Sequence, residues 1–110
     1  MNYISRKLSG KVVAVTGASG YIGSALTQEL EKYPVKVIRI SRKKITPMPG
    51  TEDWVLNLSK KSSWDKIVNN ADIIFHLAGN TSTYFAEQNP NESLKSTLLP
   101  IIQLTNSCKL

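Results

Sequence analysis

Three glycines at three-residue spacing, Gly17, Gly20 and Gly23, follow directly on the apolar run Val12-Val13-Ala14-Val15, and that pattern suits the binding of a phosphate. There a strand must stop sharply, the backbone must approach a ligand's oxygens, and a helix must pack tightly on the sheet. Each demand is met by leaving out a Cβ. Gly17, Gly20 and Gly23 serve the three needs in that order. The segment Tyr21-Ile22-Gly23-Ser24-Ala25-Leu26-Thr27-Gln28-Glu29-Leu30 then reads as an amphipathic helix, whose unpaired N-terminal amides and positive dipole end face the loop. A pyrophosphate is the ligand such an end accepts, and Ser19, Tyr21 and Ile22 lie beside the glycines that would hold it. A glycine triplet alone is weak, because turns collect glycine for steric reasons. The strand before it and the helix after it make this one specific.

The end of the second apolar run narrows the ligand. Sites of this kind that take NAD carry Asp or Glu about 20 residues beyond the glycines, where the carboxylate accepts ribose hydroxyls. No acidic residue occurs between Val35 and Thr51, and the strand runs out into Ser41-Arg42-Lys43-Lys44. Arg42 can fork onto a 2′-phosphate, with Ser41 as hydrogen-bond donor and Lys43 adding charge, which favours NADP over NAD. The alternative for Arg42 is an exposed edge charge. His76, the one histidine, has none of the cysteines or clustered acids of a metal site, and it reads as a buried structural residue satisfied by a backbone partner. Cys108, the one cysteine, excludes an intramolecular disulfide, fits a reducing compartment, and is assigned to packing on an apolar helical face.

Val13-Ala14-Val15-Thr16-Gly17-Ala18-Ser19-Gly20-Tyr21-Ile22-Gly23 resembles the N-terminal signature of the extended short-chain dehydrogenase/reductase superfamily, in its branch of NAD(P)-dependent nucleotide-sugar epimerases and dehydratases. Asp72-Ile73-Ile74-Phe75-His76-Leu77-Ala78-Gly79-Asn80 is similar to that branch's fourth strand, whose His-x-Ala-Gly end lies beside the nicotinamide. The resemblance covers almost the whole chain and matches the first part of a family member. It implies that Asn57-Leu58, standing where the family has Asp-Leu or Asp-Val, touches the adenine, since an amide both donates and accepts. It also implies that Ala78 and Gly79, being small, let the backbone pass close to the nicotinamide ribose and linking phosphates, with Leu77 beside them in the cofactor site and Asn80, Thr81 and Ser82 following on the same loop. Hydride transfer in the family uses a Tyr-x-x-x-Lys pair on a later helix, where the lysine lowers the tyrosine pKa. The formal match here, Tyr3 to Lys7, precedes the first strand and is coincidental, while Tyr84 has Gln88 four residues on and Tyr33 has Val37. No catalytic residue is assigned within these residues. The chain also departs from the family at Thr97 and Pro100, where an asparagine and a glycine are common.

The elements that must position these residues alternate. Lys11 to Thr16 reads as the first strand, Tyr21 to Lys32 as the first helix ended by Tyr33-Pro34, and Val35 to Ile40 as a β-branched second strand. A loop over Lys43 to Thr51 leads to a third strand, Glu52 to Leu58. A short helix, Ser62 to Val68, follows with Ser62 as cap and Asp65 at the capping-box position. Asp72 to Leu77 is the fourth strand and Asn89 to Lys109 a long helix, with Leu94, Leu98, Ile101, Ile102, Thr105 and Cys108 at helical spacing and Pro100 as an interruption that predicts a kink. Alternation with right-handed crossovers predicts an α/β, Rossmann-type doubly wound parallel sheet of strand order 3-2-1-4, with the strands beyond the fourth absent.

At 110 residues the chain is one domain, residues 1–110, and its 41% hydrophobic content is ordinary for a globular protein. The net charge of +6 raises nucleic acid as a partner, and Arg39, Arg42, Lys43 and Lys44 do cluster. No RNP-like or zinc-knuckle pattern accompanies them and aromatics are too few for a stacking platform, so solvated charge or cofactor phosphate explains the cluster better. Met1 to Lys11 lacks a signal peptide's apolar run and no later run approaches a membrane span, which makes the cytoplasm the expected compartment. The expected function is NAD(P) binding within an epimerase- or dehydratase-like protein, with a nucleotide-sugar substrate engaged only in company with further C-terminal sequence. The alternative is a non-catalytic dinucleotide-sensing or interaction module. An open fourth strand and an apolar stripe on the last helix imply a homo-oligomer.

Overall fold

The computed structural model describes residues 3–78 and 87–108, the side chains of residues 93, 94 and 96 excepted. Valine and isoleucine dominate Val12–Thr16 and Lys36–Ser41, which form β1 and β2 and are buried along nearly their whole length. Thr51–Val55 forms β3 and Ile73–His76 forms β4. All pairings are parallel and the order is β3-β2-β1-β4, as the alternation of elements requires. The helices are α1 (Tyr3–Leu8), α2 (Tyr21–Leu30), α3 (Lys61–Asn70) and α4 (Pro90–Cys108).

The two-residue period of the strands divides the core into two layers. Val13, Val15 and Val37 point to one face and pack with Ala18 and Leu30, while Ala14, Ile38 and Ile40 point to the other and pack with Leu58, Trp64 and Ile67. Helix α2 therefore covers the first face and α3 the second. Trp64 is fully buried, and its indole N–H donates to the Leu58 carbonyl at 2.8 Å, so its polar edge is satisfied. Helix α4 adds Leu104 to the second layer and is pinned to α3 where Ser107 Oγ donates to Asp65 Oδ1 at 2.7 Å. Hydrogen bonds from Lys61 and then Ser107 hold the Asp65 carboxyl below its ordinary range.

Several sequence expectations are corrected. Helix α1 was not foreseen, because six residues with no buried member show no apolar period. Strand β3 stops at Val55 rather than reaching Leu58, since Asn57 turns the chain: its Oδ1 accepts the Ser59 amide at 3.0 Å and its carbonyl the Lys60 amide at 3.2 Å. That turn delivers the chain into α3 two residues early, cap to cap. Lys60 is the N-cap, without a side-chain bond, so Ser62 lies inside the helix, and Asp65 binds Lys61 and Ser107 instead of closing a capping box. Helix α2 ends at Leu30, short of Lys32. Helix α4 contains Pro100 within its run, as the sequence reading has it. Its covered side is Pro100, Leu104 and Ser107, whereas Leu98, Ile101, Ile102, Thr105 and Cys108 are exposed. Cys108 is therefore not a packing residue, and Leu94 lies outside the described side chains. Among the described residues no helix is long and apolar enough to cross a membrane.

Candidate cofactor site

In a parallel sheet every strand ends at the same edge, and the segments that leave it are neighbours. Thr16, Ser41, Val55 and His76 end the four strands, so Gly17–Gly23, Arg42, Asn57-Leu58 and Leu77-Ala78 are gathered along one rim. Gly79, Asn80, Thr81, Ser82 and Tyr84 lie outside the described residues. Gly17 has φ +69°, and a Cβ there would stand 2.8 Å from the Ala78 nitrogen and the Leu77 carbonyl carbon. The glycine loop and the end of β4 are thus in direct backbone contact. Gly23 is buried against the same turn: a Cβ would run into the Gly17 carbonyl oxygen and sit 2.8 Å from its carbon. Gly20, the extended N-cap of α2, differs. A Cβ there would meet only Gly17 O, at 3.3 Å, which leaves its other side open to a ligand. No side chain caps α2 and its first turn holds no acid, so the helix end suits an anion, with Ser19, Tyr21 and Ile22 exposed around it.

Thr16, which sequence reasoning passed over, joins these parts. Its Oγ1 accepts the amides of Leu77 at 3.0 Å and Ala78 at 3.1 Å and lies 2.7 Å from His76 Nδ1. The parallel register sets Thr16 opposite His76, a pairing that no sequence motif announces. His76 is half-buried with its ring edge-on to Trp64 at 5.3 Å, and its partner is this hydroxyl, not the backbone group expected. Burial pushes its pKa below the ordinary 6.5. The neutral ring is the native form, so this contribution to stability is complete above about pH 6.5 and is lost as pH falls toward the folded-state value.

At the end of β2, Ser41 is buried and its Oγ donates to Lys43 O at 2.6 Å, so its proton is engaged within the turn and its acceptor capacity is what remains for a ligand. Arg42, Lys43 and Lys44 are exposed. Arg39 does not belong to that solvated cluster. It is 8% exposed and makes a two-pronged contact with Asp53, Nε to Oδ1 at 2.6 Å and Nη2 to Oδ2 at 2.7 Å, while Nη2 also donates to Thr46 O at 2.8 Å. Asn57 is exposed with its Oδ1 engaged, and Leu58 is a core residue at the floor of the rim. Tyr3 and Lys7 meet on exposed α1 as a cation–π pair, 5.6 Å from ammonium to ring centroid. Among the described residues no group of His, Cys, Asp and Glu is placed to hold a metal ion.

A parallel α/β sheet of order 3-2-1-4, with a glycine turn and an uncapped helix end at its carboxyl rim, defines a Rossmann-type NAD(P)-binding domain. Residues 13–109 match the NAD dependent epimerase/dehydratase family, and the chain belongs to it. It is 32% identical to dihydroflavonol 4-reductase of Arabidopsis thaliana over 89% of this chain and 28% of that protein, and 30% identical to dihydroflavonol 4-reductase of Hordeum vulgare over 88% of this chain and 30% of that protein. The chain thus spans less than a third of the length of these relatives. Among solved structures it superposes on the epimerase Mth375 of Methanothermobacter thermautotrophicus with a TM-score of 0.82 and 25% identity, covering 94% of this chain and 33% of that one. The Bordetella bronchiseptica enzyme WbmF in complex with NAD+ gives a TM-score of 0.80 at 20% identity, over 92% of this chain and 33% of that one, a likeness of fold.

Proposed function

We propose that the chain holds NADP, in preference to NAD, as the cofactor domain of an epimerase-, dehydratase- or reductase-like protein that acts on a nucleotide sugar. The observation that carries the cofactor choice is the end of β2: exposed Arg42, Lys43 and Lys44 with no acidic residue between Val35 and Thr51. The pyrophosphate would lie on the N-terminus of α2, over Gly20, with Gly17, Ser19, Tyr21, Ile22 and Gly23 shaping the approach. The adenine would lie by Asn57 and Leu58, and the nicotinamide ribose by Leu77, Ala78 and Gly79. Bound there, the nicotinamide supplies hydride. The Tyr-x-x-x-Lys pair that would use it is not among these 110 residues, so turnover requires residues supplied from elsewhere.

Titration of the chain with NADPH and, separately, NADH tests this reading. Arg42→Ala is expected to weaken NADPH binding about tenfold to a hundredfold, the worth of a hydrogen bond to a charged group, while leaving NADH binding unchanged. Equal affinity for both cofactors, insensitive to Arg42, would overturn the preference. A second copy of the chain is the partner that the outer side of α4 fits, since Leu98, Ile101 and Ile102 stand 44–46% exposed there. Sedimentation should give a dimer at high concentration that Ile101→Glu converts to monomer.

A further inference from the structure

A threonine hydroxyl has one proton and two lone pairs. The Leu77 and Ala78 amides occupy both lone pairs of Thr16 Oγ1, so the proton can only go to His76 Nδ1, 2.7 Å away. Nδ1 must then be bare and the ring proton must sit on Nε2. We infer that His76, acting through Thr16, is a positioning residue for the Leu77-Ala78 peptide at the rim of the cofactor site, and that it acts in its neutral, Nε2-protonated form. The inference rests on the cofactor reading given above for what that peptide contacts.

An imidazolium donates from both nitrogens. Its Nδ1–H would point at an oxygen with no lone pair to spare, and one of the three bonds at Thr16 must give way. The Thr16 O–H···Nδ1 bond is lost first, since a protonated Nδ1 cannot accept. For the ring to keep its contact with Thr16, its Nδ1–H must take the lone pair held by the Leu77 or Ala78 amide, whose peptide rests directly against Gly17. Protonation of His76 therefore loosens the β4 end and, through it, the glycine turn. Among the described residues Thr16 from β1 bonds His76 and the Trp64 indole from α3 packs edge-on against it, neither of which titrates in this range, and burial, with no charged neighbour contributing, lowers its pKa.

His76 is the only histidine, so a 15N-labelled chain reports on it without ambiguity. Long-range 15N–1H correlation at about pH 7.5 is expected to show Nε2 protonated and Nδ1 bare, well above the ordinary histidine value of ~6.5. A proton on Nδ1 would overturn the inference, and this reading needs no cofactor. NADPH titrated against the same chain between about pH 7.5 and about pH 5 should bind about tenfold more weakly once the NMR signal shows the ring protonated. The 2′-phosphate also titrates near pH 6. His76→Asn separates the two, because the amide can still accept from Thr16 and does not titrate: it should remove the histidine's step in the profile whatever its absolute affinity. A pH profile of NADPH binding that is unchanged in His76→Asn would refute the role, since only the 2′-phosphate step should survive there. Failure to bind at any pH, with the expected tautomer present, would overturn the cofactor reading and the positioning role with it, and leave the Thr16–His76 hydrogen bond standing.

Discussion

Gly23→Ala should lower the stability of the chain by about 2 kcal/mol and abolish cofactor binding. The added carbon meets the backbone of Gly17, its carbonyl carbon at 2.8 Å and its oxygen closer still, and a peptide in a tight turn has no rotamer to move aside. Overpacking of this kind costs about 1–3 kcal/mol and a clash with fixed backbone belongs at the upper end, from which the better helix propensity of alanine takes back about 1. The midpoint of thermal unfolding should fall by about 10 °C, at about 4–8 °C per kcal/mol for a domain of this size. Gly20→Ala is the control. Its Cβ would meet only one atom, at 3.3 Å, so stability should change by no more than about 0.5 kcal/mol. Its effect on NADPH affinity then reads the ligand side of the loop alone. Equal thermal shifts for the two variants would contradict this account of the turn.

Arg39→Met should cost about 2 kcal/mol, although Arg39 sits in what the sequence presents as a basic surface cluster. Breaking a buried ion pair costs about 3–5 kcal/mol, chiefly because one charge is stranded, and the loss is smaller here because the Asp53 side chain remains 26% exposed and can be hydrated. The guanidinium also ties Thr46 O, in the loop that follows Arg42-Lys43-Lys44, to the sheet. Losing that tie should weaken NADPH binding as well as stability. Thermal unfolding of Arg39→Met, Asp53→Leu and the double variant would measure the coupling. The double variant should be less destabilised than the sum of the single ones, and strict additivity would show that the pair contributes nothing.

The sheet was readable because parallel strands buried on both faces are written as short β-branched runs, and the glycine triplet sits where a strand passes into a helix. What sequence could not reveal depends on register. Arg39 and Asp53 face each other across β2 and β3, as do Thr16 and His76 across β1 and β4, and neither pairing is visible until the strands are laid side by side. Arg39 therefore read as one cation among four, and His76 as bonded to backbone. The long helix misled for a different reason. Apolar residues surround much of α4, so helical spacing admitted more than one buried face, and tertiary packing selected Pro100, Leu104 and Ser107 while leaving Cys108 in solvent. Asn57 illustrates a local effect: its side chain closes a turn on the Ser59 amide, which ends β3 earlier than the hydrophobic pattern suggests.

The bonds that Thr16 makes span 60 to 62 residues of chain. A glycine turn held that way cannot be completed by local folding, however strong the tendency of α2 to form, because its far wall arrives only when β4 docks. Closing so long a loop carries its entropic cost before any contact rewards it. The rim should consequently be among the last parts of the molecule to form. In a nascent chain, affinity for the dinucleotide should appear abruptly once β4 has emerged and docked, with no gradual rise while β1, α2 and β2 assemble.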